Sequence, residues 1–188
     1  DVDRRRGTAA LLDALGRDIP DLEGGGLWKP AALARGLAGL GMGRALSIAD
    51  FRAGRLARRV SRRLRERPYD AVYVSSSPMV EYVRGTTLPV VMDFVDVDSD
   101  KWTQYATKQR PPISWAYRLE GRRLRRFEAE AVRWGRRCIL ATAAEEALLK
   151  SFAPWARTAV IPNGVDLAGY GPPADAPTVI FTGAMDYF

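Results

Sequence analysis

Between Pro89 and Trp102 the chain reads PVVMDFVDVDSDKW, an apolar run that breaks into four aspartates and a serine within eight residues. Val90, Val91, Met92, Phe94 and Val95 suit a buried strand, whereas Asp96, Asp98 and Asp100 cannot be buried unpaired, so the strand is expected to end where the acids begin. Acids gathered at a strand's carboxyl end occupy the rim where open parallel α/β sheets bind ligands. In extended backbone Asp96 and Asp98 would share one side about 6.6 Å apart. At an effective dielectric of ~20 they would repel by roughly 2.5 kcal/mol, so one of them needs a cation, a helix N-terminus or a proton. The plainer reading is that Asp98 or Ser99 caps a helix starting near Lys101; it is compatible with Asp96 facing a cleft.

Other chemistries are excluded by composition. The chain has no histidine, which removes Ser-His-Asp triads, Cys-His pairs and His-ligated zinc, and its single cysteine, Cys138, removes internal disulfides and CxxC metal sites. Asp96, Asp98 and Asp100 imitate the start of a calcium loop, but Lys101 stands where that loop requires glycine and Thr107 where it requires a bidentate glutamate, so no metal is expected. Ser75, Ser76 and Ser77 form a hydroxyl cluster at a second strand end. Serines there are commonly turn formers, and beside an acidic rim they could hold sugar hydroxyls. Asn163-Gly164 reads as a turn with one residue at positive φ.

The elements that must position these groups follow from periodicity. Leu56, Val60 and Leu64 recur at four-residue spacing opposite arginines, predicting an amphipathic helix from Asp50 to Arg67. Ala71–Val74, Pro89–Val95, Cys138–Ala141 and Thr158–Ile161 read as strands. Met79–Arg84 reads as a helix with Pro78 in its first turn. A long helix is expected from about Ser114 to Gly135, its apolar side built from Trp115, Leu119, Leu124, Phe127, Val132 and Trp134, and Thr142 is placed to cap a helix over Ala143–Phe152. Alternating strands and helices predict an α/β, Rossmann-like parallel sheet with flanking helices. The Gly/Pro-rich segment 169–177 then reads as a linker between a domain over 1–168 and the first strand of another over 178–188, so the chain is expected to be a fragment.

The 188 residues are 47% hydrophobic, enough for a packed core, and carry a net charge of +7. No run approaches the ~20 apolar residues of a membrane-spanning helix, and no signal peptide is visible. Arginines cluster in Arg52–Arg67 and Arg118–Arg137. Such a run is commonly a solvated helix face, but Arg55, Arg58, Arg59, Arg62 and Arg63 beside an apolar stripe also fit an anionic membrane surface. No nucleic-acid-binding motif accompanies them, so no nucleic acid is expected as a partner.

The segments MDFVDVDSDKWTQYA, WAYRLEGRRLRRFEAEA, TAAEEALL, IPNGVD and FTGAMDY, in this order, resemble a bacterial sugar transferase family associated with exosortase (PEP-CTERM) and exopolysaccharide systems, among the retaining GT-B glycosyltransferases of family 4 type. The likeness covers roughly residues 27–188. It implies the N-terminal half of a GT-B enzyme truncated at both ends, lacking the family's first strand and the donor half, and so inactive alone. Its partners would be a nucleotide-sugar donor, which is a co-substrate and not a cofactor, and a lipid-linked or glycan acceptor at the inner face of the plasma membrane. Asp96 falls where related enzymes place a His-Asp or Arg-Asp pair, with Val95 at the histidine position. The resemblance therefore implies Asp96, then Asp98, as the group acting on the acceptor hydroxyl. Ser75, Ser76, Ser77, Ser99, Lys101, Trp102 and Asn163 would contact substrate, and Gly183 would open the loop approaching the donor phosphates. A non-catalytic Rossmann-like ligand-binding module is the alternative reading.

Overall fold

The computed structural model describes residues 43–164. The expected linker, the strand after it and Gly183 lie outside the described residues. Four strands, β1 (Val72–Ser75), β2 (Val90–Val95), β3 (Arg137–Leu140) and β4 (Thr158–Val160), form one sheet in the order β1-β2-β3-β4. Every neighbouring pair is parallel, with Val72 opposite Val90, Met92 opposite Cys138 and Cys138 opposite Thr158. Parallel neighbours need crossovers, and helical segments supply them. A 3-10 helix (Ser77–Val83) joins β1 to β2, α3 (Asp98–Thr107) and α4 (Ile113–Ala131) join β2 to β3, and α5 (Ala143–Phe152) joins β3 to β4. The result is a Rossmann-like α/β sheet.

One face of this sheet makes the core. Alternation in β2 buries Val90, Met92 and Phe94, which pack with Val74, Cys138 and Leu140 from the flanking strands and with Ala131, Val132, Leu149 and Ala153 from the crossover segments. Burial raises the Cys138 thiol to about 11, so it behaves as a small apolar side chain. Thr142 caps α5 as its position predicts, its Oγ1 accepting Glu145 N at 3.2 Å.

Two helices depart from the periodicity reading. The amphipathic helix expected from Asp50 is two helices, α1 (Leu46–Phe51) and α2 (Gly54–Glu66). The break is held by a distant side chain: Tyr82 OH accepts Ala53 N at 2.7 Å and itself donates to Phe51 O. Along α2, Leu56, Val60 and Leu64 are half-buried and line a groove of about 350 Å³ with Tyr69, Val72 and Tyr73.

The long helix α4 stops at Ala131, and Trp115, placed on its apolar side by the sequence, is 62% exposed. Its buried stripe is Ser114, Glu120, Gly121, Leu124, Glu128 and Ala131. Leu124 and Phe127 do pack inward, and Val132 and Trp134 reach the core from the turn beyond the helix. Two carboxylates were invisible to a hydrophobic period because each serves another helix. Glu120 accepts Leu46 N at 2.7 Å, Ser47 N at 2.8 Å and Ser47 Oγ at 2.6 Å, satisfying the orphan amides that open α1. Gly121 lets α3 come close, since a Cβ there would stand 3.1 Å from Ser99 O and from Thr103 Oγ1.

Candidate functional site

The acidic rim begins with a sharp reversal at the end of β2. Val95 adopts φ +59°, and Asp96 N donates across it to Phe94 O at 2.6 Å, a three-residue γ-turn. Asp93 steadies the reversal by accepting Val95 N on Oδ1 at 3.0 Å, and the register against β3 slips between Asp93 and Val95. A β-branched residue in the left-handed region costs about 1–2 kcal/mol. At the end of neighbouring β1, Ser76 sits at φ +75°, its N–H donating to Asp93 O at 2.8 Å. Among the described residues these are the non-glycine positions at positive φ, and they stand side by side at adjacent carboxyl strand ends. Backbone strain of this kind collects at functional sites because surrounding structure must hold it.

Beyond the turn, α3 starts at Asp98, earlier than expected, and places Asp98 and Asp100 in its first turn, where the helix dipole favours negative charge. The expected side-chain cap from Asp98 or Ser99 is absent; Val97 holds the cap position. Capping comes from other helices, since Glu145 Oε2 accepts Val97 N at 2.7 Å and Glu128 Oε1 accepts Ser99 N at 3.1 Å. Local sequence places Glu145 in the favourable first turn of α5, as the structure has it, but reveals neither of these two long-range contacts. Glu128 lies within an arginine-rich stretch that reads as a solvated face, and nothing local ties either residue to an amide tens of residues away.

Asp96 and Asp98 do not lie along one extended edge. Lys101, one turn into α3, sets its Nζ 2.9 Å from Asp96 Oδ2 and 3.3 Å from Asp98 Oδ1, supplying the cation their proximity demands. Partial burial pulls the Lys101 ammonium down, but the hydrogen bond to Asp96 and the charges of Asp98 and Asp96 outweigh it and hold the group above its usual range. Ser77 Oγ donates to the other oxygen of Asp98, Oδ2, at 2.9 Å. Asp96, Asp98, Lys101 and Ser77 thus form one connected polar group across two strand ends.

The remaining expected site residues fall elsewhere. Ser75 is exposed at the last pair of β1, opposite Asp93, and Ser77 is fully buried with its hydroxyl committed to Asp98. Ser99 is buried behind the rim, facing α4 instead of an open cleft. Trp102 packs edge-on against Tyr105 and Tyr117, 6.1 and 5.3 Å between ring centres, and against the small cluster of Ala45, Ile48 and Leu124. Asn163 is exposed past β4, two strands from β2.

Among the described residues no cluster of three or more metal-ligating side chains is present, and no helix is long and apolar enough to cross a membrane. Comparison of the chain with family models, with curated proteins and with solved structures finds no match.

Proposed function

We propose that this chain is the acceptor-binding part of a retaining GT-B glycosyltransferase of exopolysaccharide assembly. One observation carries the reading: strained backbone at Ser76 and Val95 brings an Asp96–Lys101–Asp98 group to the carboxyl ends of adjacent parallel strands. In this reading Asp96 hydrogen-bonds or deprotonates an acceptor hydroxyl, Asp98 orients Lys101, and exposed Ser75 at the end of β1 contacts sugar. Catalysis then rests on positioning the acceptor against a donor bound by a second domain, with phosphate charge assisting proton transfer. The acceptor is lipid-linked or polymeric, and the basic face of α2 with its half-buried Leu56, Val60 and Leu64 supports docking on an anionic membrane.

The test is nucleotide-sugar consumption by the full-length enzyme carrying Asp96→Asn. A positioned acid or base contributes on the order of 10²–10⁴ in rate, so a fall of at least about a hundredfold is expected, and undiminished transfer removes Asp96 from the mechanism. The second reading, a ligand-binding module without turnover, is favoured by the engagement of both acids with Lys101. It requires ligand affinity that depends on Asp96 together with no sugar transfer by the full-length protein.

A further inference from the structure

Glu128 has no exposed surface and stands directly behind the first turn of α3. Its Oε1 closes the amino end of that helix at Ser99 N, while Oε2 and Ser99 Oγ are both buried without a hydrogen-bond partner. An ionised carboxylate with one bare oxygen in a low-dielectric site is poorly compensated; a proton on that oxygen relieves the charge and creates a donor beside a waiting hydroxyl. Burial raises the Glu128 carboxyl most, the Ser99 amide that it accepts lowers it, the charge of Asp98 on α3 raises it and Arg125 on its own helix lowers it, leaving it at about 7. The other elements around α4 spend their charges elsewhere: Glu145 of α5 on Val97 N, Glu81 of the 3-10 helix on Arg44, and the neighbouring Glu120 on α1.

We propose that Glu128 is a positioning residue whose proton is coupled to the placement of Asp96, Asp98 and Lys101. Ionised, it is a strong acceptor that holds Ser99 N and pins the amino end of α3. Protonated, it is a weaker acceptor for that amide, and its new O–H turns to Ser99 Oγ; the first turn of α3 shifts, carrying Asp98 and Lys101 and through Lys101 the contact to Asp96. Ser99 has a second task, as its hydroxyl can donate to the carboxylate or accept from the acid. The functional meaning of this coupling rests on the reading of Asp96 and Asp98 as acceptor-facing acids.

The experiment is a pH titration of the isotope-labelled 188-residue chain by NMR, following the Ser99 amide, the Asp96 and Asp98 carboxyl carbons and the Lys101 ε-carbon. All four signals are expected to share one additional step with a midpoint of about 7, and Glu128→Gln is expected to delete that step from every signal while the fold persists. The Glu128 carboxyl carbon itself is expected to titrate with the same midpoint, and this measurement on the unaltered chain decides the matter if Glu128→Gln does not fold. The proposal is overturned if Ser99 steps without Asp98 and Lys101, if the step survives Glu128→Gln, or if the Glu128 carboxyl carbon titrates with a different midpoint. The readout involves no sugar transfer, so a catalytically silent protein can still show the coupling, and an active transferase without the step would refute the coupling alone.

Discussion

Lys101 Nζ lies 2.9 Å from Asp96 Oδ2, and this contact joins the end of β2 to the first turn of α3 across a residue at positive φ. The two side chains are 45% and 43% exposed, so solvent screens the pair and its contribution to stability is small. Its structural consequence is larger, because the same ammonium also reaches Asp98.

Lys101→Met is therefore expected to change unfolding free energy in urea by no more than about 1 kcal/mol. The proposed function then expects sugar transfer to drop by about tenfold or more in this variant, since the two acids lose their shared counter-ion and separate. A large stability loss with unchanged transfer would show the lysine to be structural only.

Val95→Gly should be unusually well tolerated. Glycine removes a left-handed-region cost of about 1–2 kcal/mol, which offsets the entropy of a freer chain and the loss of a partly exposed side chain, so stability is expected to stay within about 1 kcal/mol of wild type. Val74→Gly, in the buried middle of β1, is expected to cost at least about 2 kcal/mol in the same urea titration.

Gly121→Ala reverses the usual helix-interior rule. Alanine normally gains about 1 kcal/mol over glycine in a helix, but here the added Cβ meets the Ser99 carbonyl and the Thr103 hydroxyl at 3.1 Å and the Thr103 amide at 3.4 Å. Two of these contacts are backbone and can yield only if α3 moves away from α4. A net loss of about 1 kcal/mol is expected, with faster amide exchange in the first turn of α3 as the local measurement.

Glu128 makes stability depend on pH in a definite direction. Its carboxyl rises from 4.5 to about 7 on folding, so between these values the folded chain holds a proton that the unfolded chain releases. The stabilisation is fully present below about 4.5 and is lost as pH rises through about 7, an effect on the order of 3 kcal/mol. Urea titrations of wild type and Glu128→Gln at a series of pH values between these limits should diverge by that amount, with the variant gaining relative to wild type as pH rises. Parallel curves would contradict the placement of the proton.

The alternating strands and helices, the end of β2 among the aspartates and the Thr142 cap of α5 were all legible in the amino-acid sequence, because each depends on residues within a few positions of one another. The same local reading marked Asp96 and Asp98 as needing a cation, which Lys101 supplies. It misjudged the buried side of α4, where it placed an exposed Trp115 on the core face and passed over Glu120 and Glu128. Those glutamates are buried because each meets backbone amides at the start of another helix, 73 and 29 residues away in the chain. Hydrophobic periodicity counts a carboxylate as solvent-facing and has no means of registering a distant amide. Side-chain chemistry and spacing thus determined the sheet, its order of crossovers and the location of an acidic rim. Tertiary packing decided which helix end each glutamate closes, which serines turn inward, and how Val95 is forced into the conformation that lifts Asp96 to Lys101, since unpaired amides in a dry interior take whichever acceptor the fold brings within reach.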